Sequence, residues 1–304
     1  MTALAAYFVL LIIAILSTIP PIAISVMNAL FSRLRPFWAI ICACALAVAI
    51  TPDAAAASRR APKRAFTLVL DAGHGGKDAG CVGRLTNEKS ITLDVARRVA
   101  DIVRRECPKV NVLLTRDDDR YLTLQRRADI ANDAGGDLFV SIHVNSVDAR
   151  SRGRESVKGT SVYALGAEKS QNTLSVAMRE NAVIELEDDY TESYRGFDPH
   201  SSESYIIFEL TNNLHLSQSL DFAALAQRDL VSHANRADKG VRQAGFWVLW
   251  ATSMPSVLIE LDFICNPRQE EFLNSENGRN LCAEAIAKAF KEYYKSQQKA
   301  LARH

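Results

Sequence analysis

Neither sign of charge is in surplus: 36 lysines and arginines stand against 35 aspartates and glutamates, for a formal net charge of +1. So even a balance leaves no electrostatic footprint for nucleic acid or another polyanion, and points to a small or uncharged ligand, or to a surface. Cysteine is scarce, with six in 304 residues. The last four, Cys81, Cys107, Cys265 and Cys282, show no CxxC spacing. They leave three pairings open in an oxidising compartment, with buried free thiols as the alternative. No internal repeat is found, so the 48% of apolar residues serve one core, and one domain suffices.

Long hydrophobic runs are confined to the first 57 residues. Residues 3–19 are apolar and of marginal length for a membrane span, but Pro20 and Pro21 interrupt the helix that would extend it. A cleaner unit begins at Met27: Arg33 and Arg35, an apolar stretch over 37–50, then TPDAAAAS with its small residues. That order predicts an export signal over 27–57, cut near Ala56 or Ala57. Residues 1–26 are then either a second hydrophobic segment or sequence ahead of the true start. A lipoprotein reading at Cys44 fits less well, because the apolar run before it is short and another follows. Cys42 and Cys44 are expected to leave with the signal, followed by a linker over 58–65, a catalytic domain over 66–297 and a tail over 298–304.

Beyond the linker, elements alternate. Apolar runs at 66–71, 110–115, 137–142, 159–165, 246–250 and 256–261 read as strands. Helical patterns fall at 90–107, where Ile91, Val95, Val99, Ile102 and Val103 share a face, and at 122–132, 167–186, 203–236 and 276–297. Strands separated by helices predict an α/β fold, a single layered domain whose mostly parallel, mixed sheet is flanked by helices.

In such sheets the ligand sits beyond the carboxyl ends of strands. His74 lies just past the first strand, within the glycine-rich LDAGHGGKDAG, and His143 ends the third, in FVSIHVNS. A lone histidine there is usually structural; two at one rim, one in a turn of glycines, suggest a metal. Glu88, in NEKS, could merely favour its helix dipole. Two histidines with one carboxylate are also a common catalytic zinc set, with a fourth position kept for water. Glu260, set in the apolar VLIEL, is costly to bury without a purpose or a partner.

The segments DAGHGGKDAG (71–80), NEK (87–89), TRDDDRYLTLQRRADIAN (115–132), DLFVSIHVNS (137–146) and MPSVLIELDFICNP (254–267) together resemble the zinc-dependent N-acetylmuramoyl-L-alanine amidases that cut bacterial peptidoglycan. The resemblance runs from about residue 66 to 295. It implies one zinc per chain held by His74, Glu88 and His143, with Glu260 as the catalytic glutamate, a peptidoglycan substrate, and a place in the periplasm or cell envelope. Asp262 stands where the family usually has glycine, and Cys265 where it often has a small residue, which leaves the loop after that strand open. Other readings are a zinc peptidase or deacetylase acting on another wall bond, or a silent wall-binding protein, although a binder has no need of all four residues. No separate wall-binding module is visible.

The segment 181–213 is longer and more acidic than a connection requires. Family members that act in cell separation carry an inserted helix that covers the zinc and donates a glutamate until an activator protein removes it. By that resemblance Glu187, Glu192 or Glu203 is expected to be the blocking ligand, against the plainer reading of a solvated or substrate-binding insertion. Asn145 is expected to orient His143 or the substrate. Asp117, Asp118 and Asp119 read as a solvated turn, Trp247 and Trp250 as packing or a glycan groove, and His200, His215 and His233 as bystanders.

Overall fold

The computed structural model describes residues 64–166, 170–188, 190–210 and 214–302. The export segment at 27–57, most of the 58–65 linker and the last two residues of the 298–304 tail lie outside the described residues. Strand β1 (Phe66–Ala72) is buried along almost its whole length, as befits an apolar run without alternation. Helix α1 (Glu88–Glu106) starts at Asn87, whose side chain accepts from the Ser90 amide, and buries Ile91, Val95, Val99 and Val103 completely. Strand β2 (Val110–Leu114) leads to α2 (Leu124–Asp133), capped by Thr123. Strands β3 (Leu138–Asn145) and β4 (Thr160–Leu165) are both buried throughout. Helix α3 (Gln171–Asn181), the short helices α4 (Tyr190–Ser193) and α5 (Ile206–Leu210), and α6 (Leu216–Ser232) lead to β5 (Asp238–Ala244). Helix α7 (Trp247–Trp250), β6 (Ser256–Phe263), α8 (Pro267–Asn274) and α9 (Glu276–Ala302) follow.

The sheet order is β2-β1-β3-β6-β4-β5. The first four strands run parallel, β4 lies antiparallel to β6, and β5 runs parallel to β4. The carboxyl ends of β1, β3 and β6 therefore share a rim with the amino ends of β4 and β5. Side chains alternate across the sheet. Leu68, Leu70, Val140, Ile142 and Ile259 pack with residues of α1, α6 and α9 in one core. Val69, Phe139 and Leu258 face the other, which holds an aromatic group including Tyr194, Phe197, Tyr205, Phe208 and Trp247. His143 and Glu260 fall in register with Phe139 and Leu258, on that second face. Among the described residues, no helix is long and apolar enough to cross a membrane.

Three expected elements differ. FWVLW forms the helical turn α7, not a strand; its rings are packed on several sides, with Tyr194 and Phe197 against Trp247, and a short apolar run carries no period that separates the two states. The strand in that region is β5, whose polar DKGVRQA is half exposed at the sheet edge. The helix expected over 203–236 is broken into a 3-10 turn at 202–205, α5 and α6. The four cysteines Cys81, Cys107, Cys265 and Cys282 are free thiols.

Candidate metal centre

The turn after β1 is shaped from below by charge. Asp71 is fully buried and accepts from Thr115, Ser141 and Arg127. Burial alone would raise its pKa, but Arg127 with the two hydroxyls holds it below the usual carboxylate value. Arg127 also donates to the carbonyls of Ala72 and His74, at 2.7 and 2.6 Å. Arg116, equally buried, donates to those of Ala72 and Gly73. Two guanidinium forks thus fix three successive carbonyls, and His74 is held at φ +60°, a conformation few side chains adopt. Close approach explains the glycines. A Cβ on Gly73 would come within 2.5 Å of the His143 ring, and one on Gly80 within 2.6 Å of the His74 ring.

His74 Nδ1 pairs with Asp78 at 2.7 Å, which turns Nε2 inward. That Nε2 lies 3.1 Å from Glu88 Oε1 and 3.2 Å from Glu180 Oε2. His143 Nδ1 lies 3.1 and 3.0 Å from the same two oxygens. Glu88, the first residue of α1, is aimed by the amides of Cys81 and Val144, which donate to its two oxygens. One ligand atom from each of these four residues lies within 4.8 Å of all the others. Ligands about 2.0–2.1 Å from a tetrahedral zinc stand about 3.3 Å apart, close to the four separations here. Among the described residues His74 Nε2 and Glu180 Oε2 are buried without a well-formed hydrogen bond, a costly condition unless a cation satisfies them. The donor set and its spacing fit zinc.

Glu260 is in register with His143 on the adjoining strand and is wholly buried. Burial, together with the carboxylates of Glu180 and Glu88 and against the pull of Arg179, raises its pKa to about 8. Its Oε2 has no hydrogen-bond partner, while Oε1 lies 3.4 Å from Arg179 Nη2. Arg179 also donates to Ser146 O, Asn145 Oδ1 and Glu180 Oε1.

The three acids expected to block the site stand apart from the cluster. Glu187 accepts from Tyr194 and Tyr121, Glu192 is exposed, and Glu203 is exposed and accepts from Ser201. None belongs to the cluster. Glu180, one residue ahead of the acidic stretch, occupies it instead. Thr173, Val176, Ala177, Glu180 and Asn181 form the buried face of α3, so the helical period was the signal that could have found it. Asn145 does not meet His143 as expected; its Oδ1 accepts from Ser146 N and Arg179. Asp119 clamps the Gly76 amide to Lys89, and Trp247 is packing, 4% exposed. Asp262, where glycine is usual, accepts from the Gly159 and Phe263 amides and pairs with Arg236, so it ties β6 to the segments that lead into β4 and β5. His200 and His233 pair with Glu185 and Glu284, away from the site.

Residues 68–292 match the family model described as Amidase_3, N-acetylmuramoyl-L-alanine amidase. The chain is 33% identical over 261 residues to the uncharacterized protein YqiI of Bacillus subtilis, covering 86% of this chain and 99% of that one. It is 32% identical over 238 residues to N-acetylmuramoyl-L-alanine amidase AmiC of Escherichia coli O6:H1, covering 76% of this chain but only 53% of that relative. Among solved structures, the catalytic domain of CwlV, an N-acetylmuramoyl-L-alanine amidase from Bacillus (Paenibacillus) polymyxa var. colistinus, superposes with a TM-score of 0.55 at 28% identity, over 76% of this chain and 98% of that domain. With the match running through β1, β3 and β6 and every residue they carry to the rim, this chain belongs to the N-acetylmuramoyl-L-alanine amidase family.

Proposed function

We propose that the chain cuts the amide between N-acetylmuramic acid and the L-alanine of the peptidoglycan stem peptide, using one zinc held by His74, Glu88 and His143, and that the form described here is shut by Glu180. The observation that carries this reading is the meeting of His74 Nε2, His143 Nδ1 and Glu88 Oε1 beside a buried glutamate with an unsatisfied oxygen. An amide is a poor electrophile with a poor leaving group. Bound zinc supplies Lewis acidity toward the carbonyl and lowers the pKa of water to about 7. Glu260 takes the proton of the attacking water and delivers it to the departing nitrogen, from its place in register beside His143. Asp78 and the amides at Cys81 and Val144 keep the ligands from turning.

Glu180 stands where a catalytic site keeps its open position, and Arg179 covers Glu260 from the same helical turn. An activator protein that draws α3 away would free both at once. Acting on the wall also requires export, for which the segment 27–57 is suited.

Mass spectrometry of sacculi digested with the parent chain and with Glu180→Ala, in which the site is freed, tests the reading. The amidase releases intact stem peptides that begin at L-alanine, a peptidase or deacetylase releases other products, and a silent binder releases none.

A further inference from the structure

A cavity of about 500 Å³ opens beside the proposed centre, between α3 and the β6-β4-β5 edge; its lining includes Asn145, Tyr163, Arg179, Lys239, Arg242 and Phe263. Asn145 and Arg179 link it to Glu260. Two of its cations arrive by an irregularity in β5. Thr160 pairs with Asp238, but Val162 pairs with Val241, so β5 carries one residue more than β4 between the two pairs. Gly240 sits there at φ +85°, as a glycine bulge requires. In a regular strand Lys239 and Arg242, three apart, would face opposite sides; the bulge lets both line one cavity.

Among the described residues neither cation forms an ion pair. Arg242 donates to the Lys239 carbonyl and to Thr173 Oγ1, and the Lys239 ammonium lies 5.3 Å from the Phe263 ring centroid. Asp148 is the carboxylate of the lining, and it is exposed with one oxygen taken by the Arg150 amide. Tyr163 and Phe263 are buried, at 2% and 6% exposed, so they offer walls rather than a platform for stacking sugar rings. Uncompensated cations in a pocket select an anionic group.

We propose that this cavity is the subsite for the stem peptide beyond the scissile amide, and that Lys239 and Arg242 receive a free carboxylate of that peptide. In the uncleaved substrate the lactyl carboxyl of muramic acid is tied up in the scissile amide, so the free carboxylates lie on the peptide, and the cations assign the peptide, not the sugar, to this side. The identity of the peptide rests on the amidase reading; the preference for a carboxylate rests on the cavity alone.

Calorimetric titration of the full chain with the tripeptide L-Ala-γ-D-Glu-L-Lys, and with the same peptide amidated at both of its free carboxylates, tests it. The acidic peptide should bind at least tenfold more tightly than the amidated one. K239Q/R242Q, two changes on a half-exposed edge strand, should weaken the acidic peptide at least tenfold, leave the amidated one within twofold, and melt as the parent does. Gly240→Val, which no bulge at that φ accommodates, should lose the same discrimination. Equal affinities for the two peptides, no binding by the parent chain, or discrimination that survives K239Q/R242Q would overturn the proposal. Sacculus digestion by the Glu180→Ala chain, whose site is freed, keeps the two readings apart. Selective binding without release of stem peptides sinks the amidase and leaves the subsite, and release without charge selectivity does the reverse.

Discussion

Replacing Glu180 by alanine should switch the chain on. The Glu180 carboxylate is buried, 4% exposed, against His74, His143 and Arg179. The two imidazoles and the guanidinium hold it well below the ordinary glutamate pKa although burial alone would raise it, so it is an anion in the shut form. Removing one partner of a buried charge cluster costs about 3–5 kcal/mol. In the open form, with α3 drawn away, Glu180 is solvated and its loss costs nothing. The substitution therefore moves the shut-to-open balance by about 3 kcal/mol, or about a hundredfold. Release of stem peptides from sacculi should rise by up to that factor, with one zinc per chain retained on metal analysis. Activity that stays flat or falls while zinc is lost would refute the reasoning, because Glu180 would then be a resident ligand of a closed site.

Glu260→Gln keeps the shape and removes the proton carrier; zinc content should stay at the parent value while turnover falls by about 10²–10⁴, read by the same digestion assay. Adding zinc to chelated protein should raise the melting temperature, by about 2.7 kcal/mol of stability at a hundredfold excess over the dissociation constant, and His74→Ala should abolish the shift in calorimetry. Gly80→Ala places a methyl within 2.6 Å of the His74 ring and 2.7 Å of Glu88 Oε2 at a φ of +65°, so zinc binding, followed by equilibrium dialysis, should weaken at least tenfold. Arg127→Met leaves the Asp71 charge without its cation and strands the His74 carbonyl in the interior, at a cost of about 3–5 kcal/mol in urea unfolding.

Much of the frame was legible along the chain because hydrophobic periodicity is local. The strand runs at 66–71 and 256–261 lie within the strands observed, and 137–142 and the apolar stripe of 90–107 overrun their elements by one residue each. His74, His143 and Glu260 could be picked out because each ends or interrupts an apolar run with a group that is costly to bury, whereas Glu88, in the polar NEKS, was drawn in by the zinc donor pattern and the family resemblance. What the runs could not disclose is direction and partner. Nothing in TSVYAL says that it lies antiparallel to SVLIEL, and β5 is polar because an edge strand needs little apolar surface. The fourth acid near the centre was sought among the acids of 181–213 by resemblance and composition, whereas a helix chooses by angle, and α3 turns Glu180 inward. The arginines at 116 and 127 look like surface charges until the fold closes over three carbonyls that only they can satisfy. Local sequence determines which segments must hide from water; only their mutual packing decides which buried charges meet, since that depends on atoms tens of residues apart along the chain.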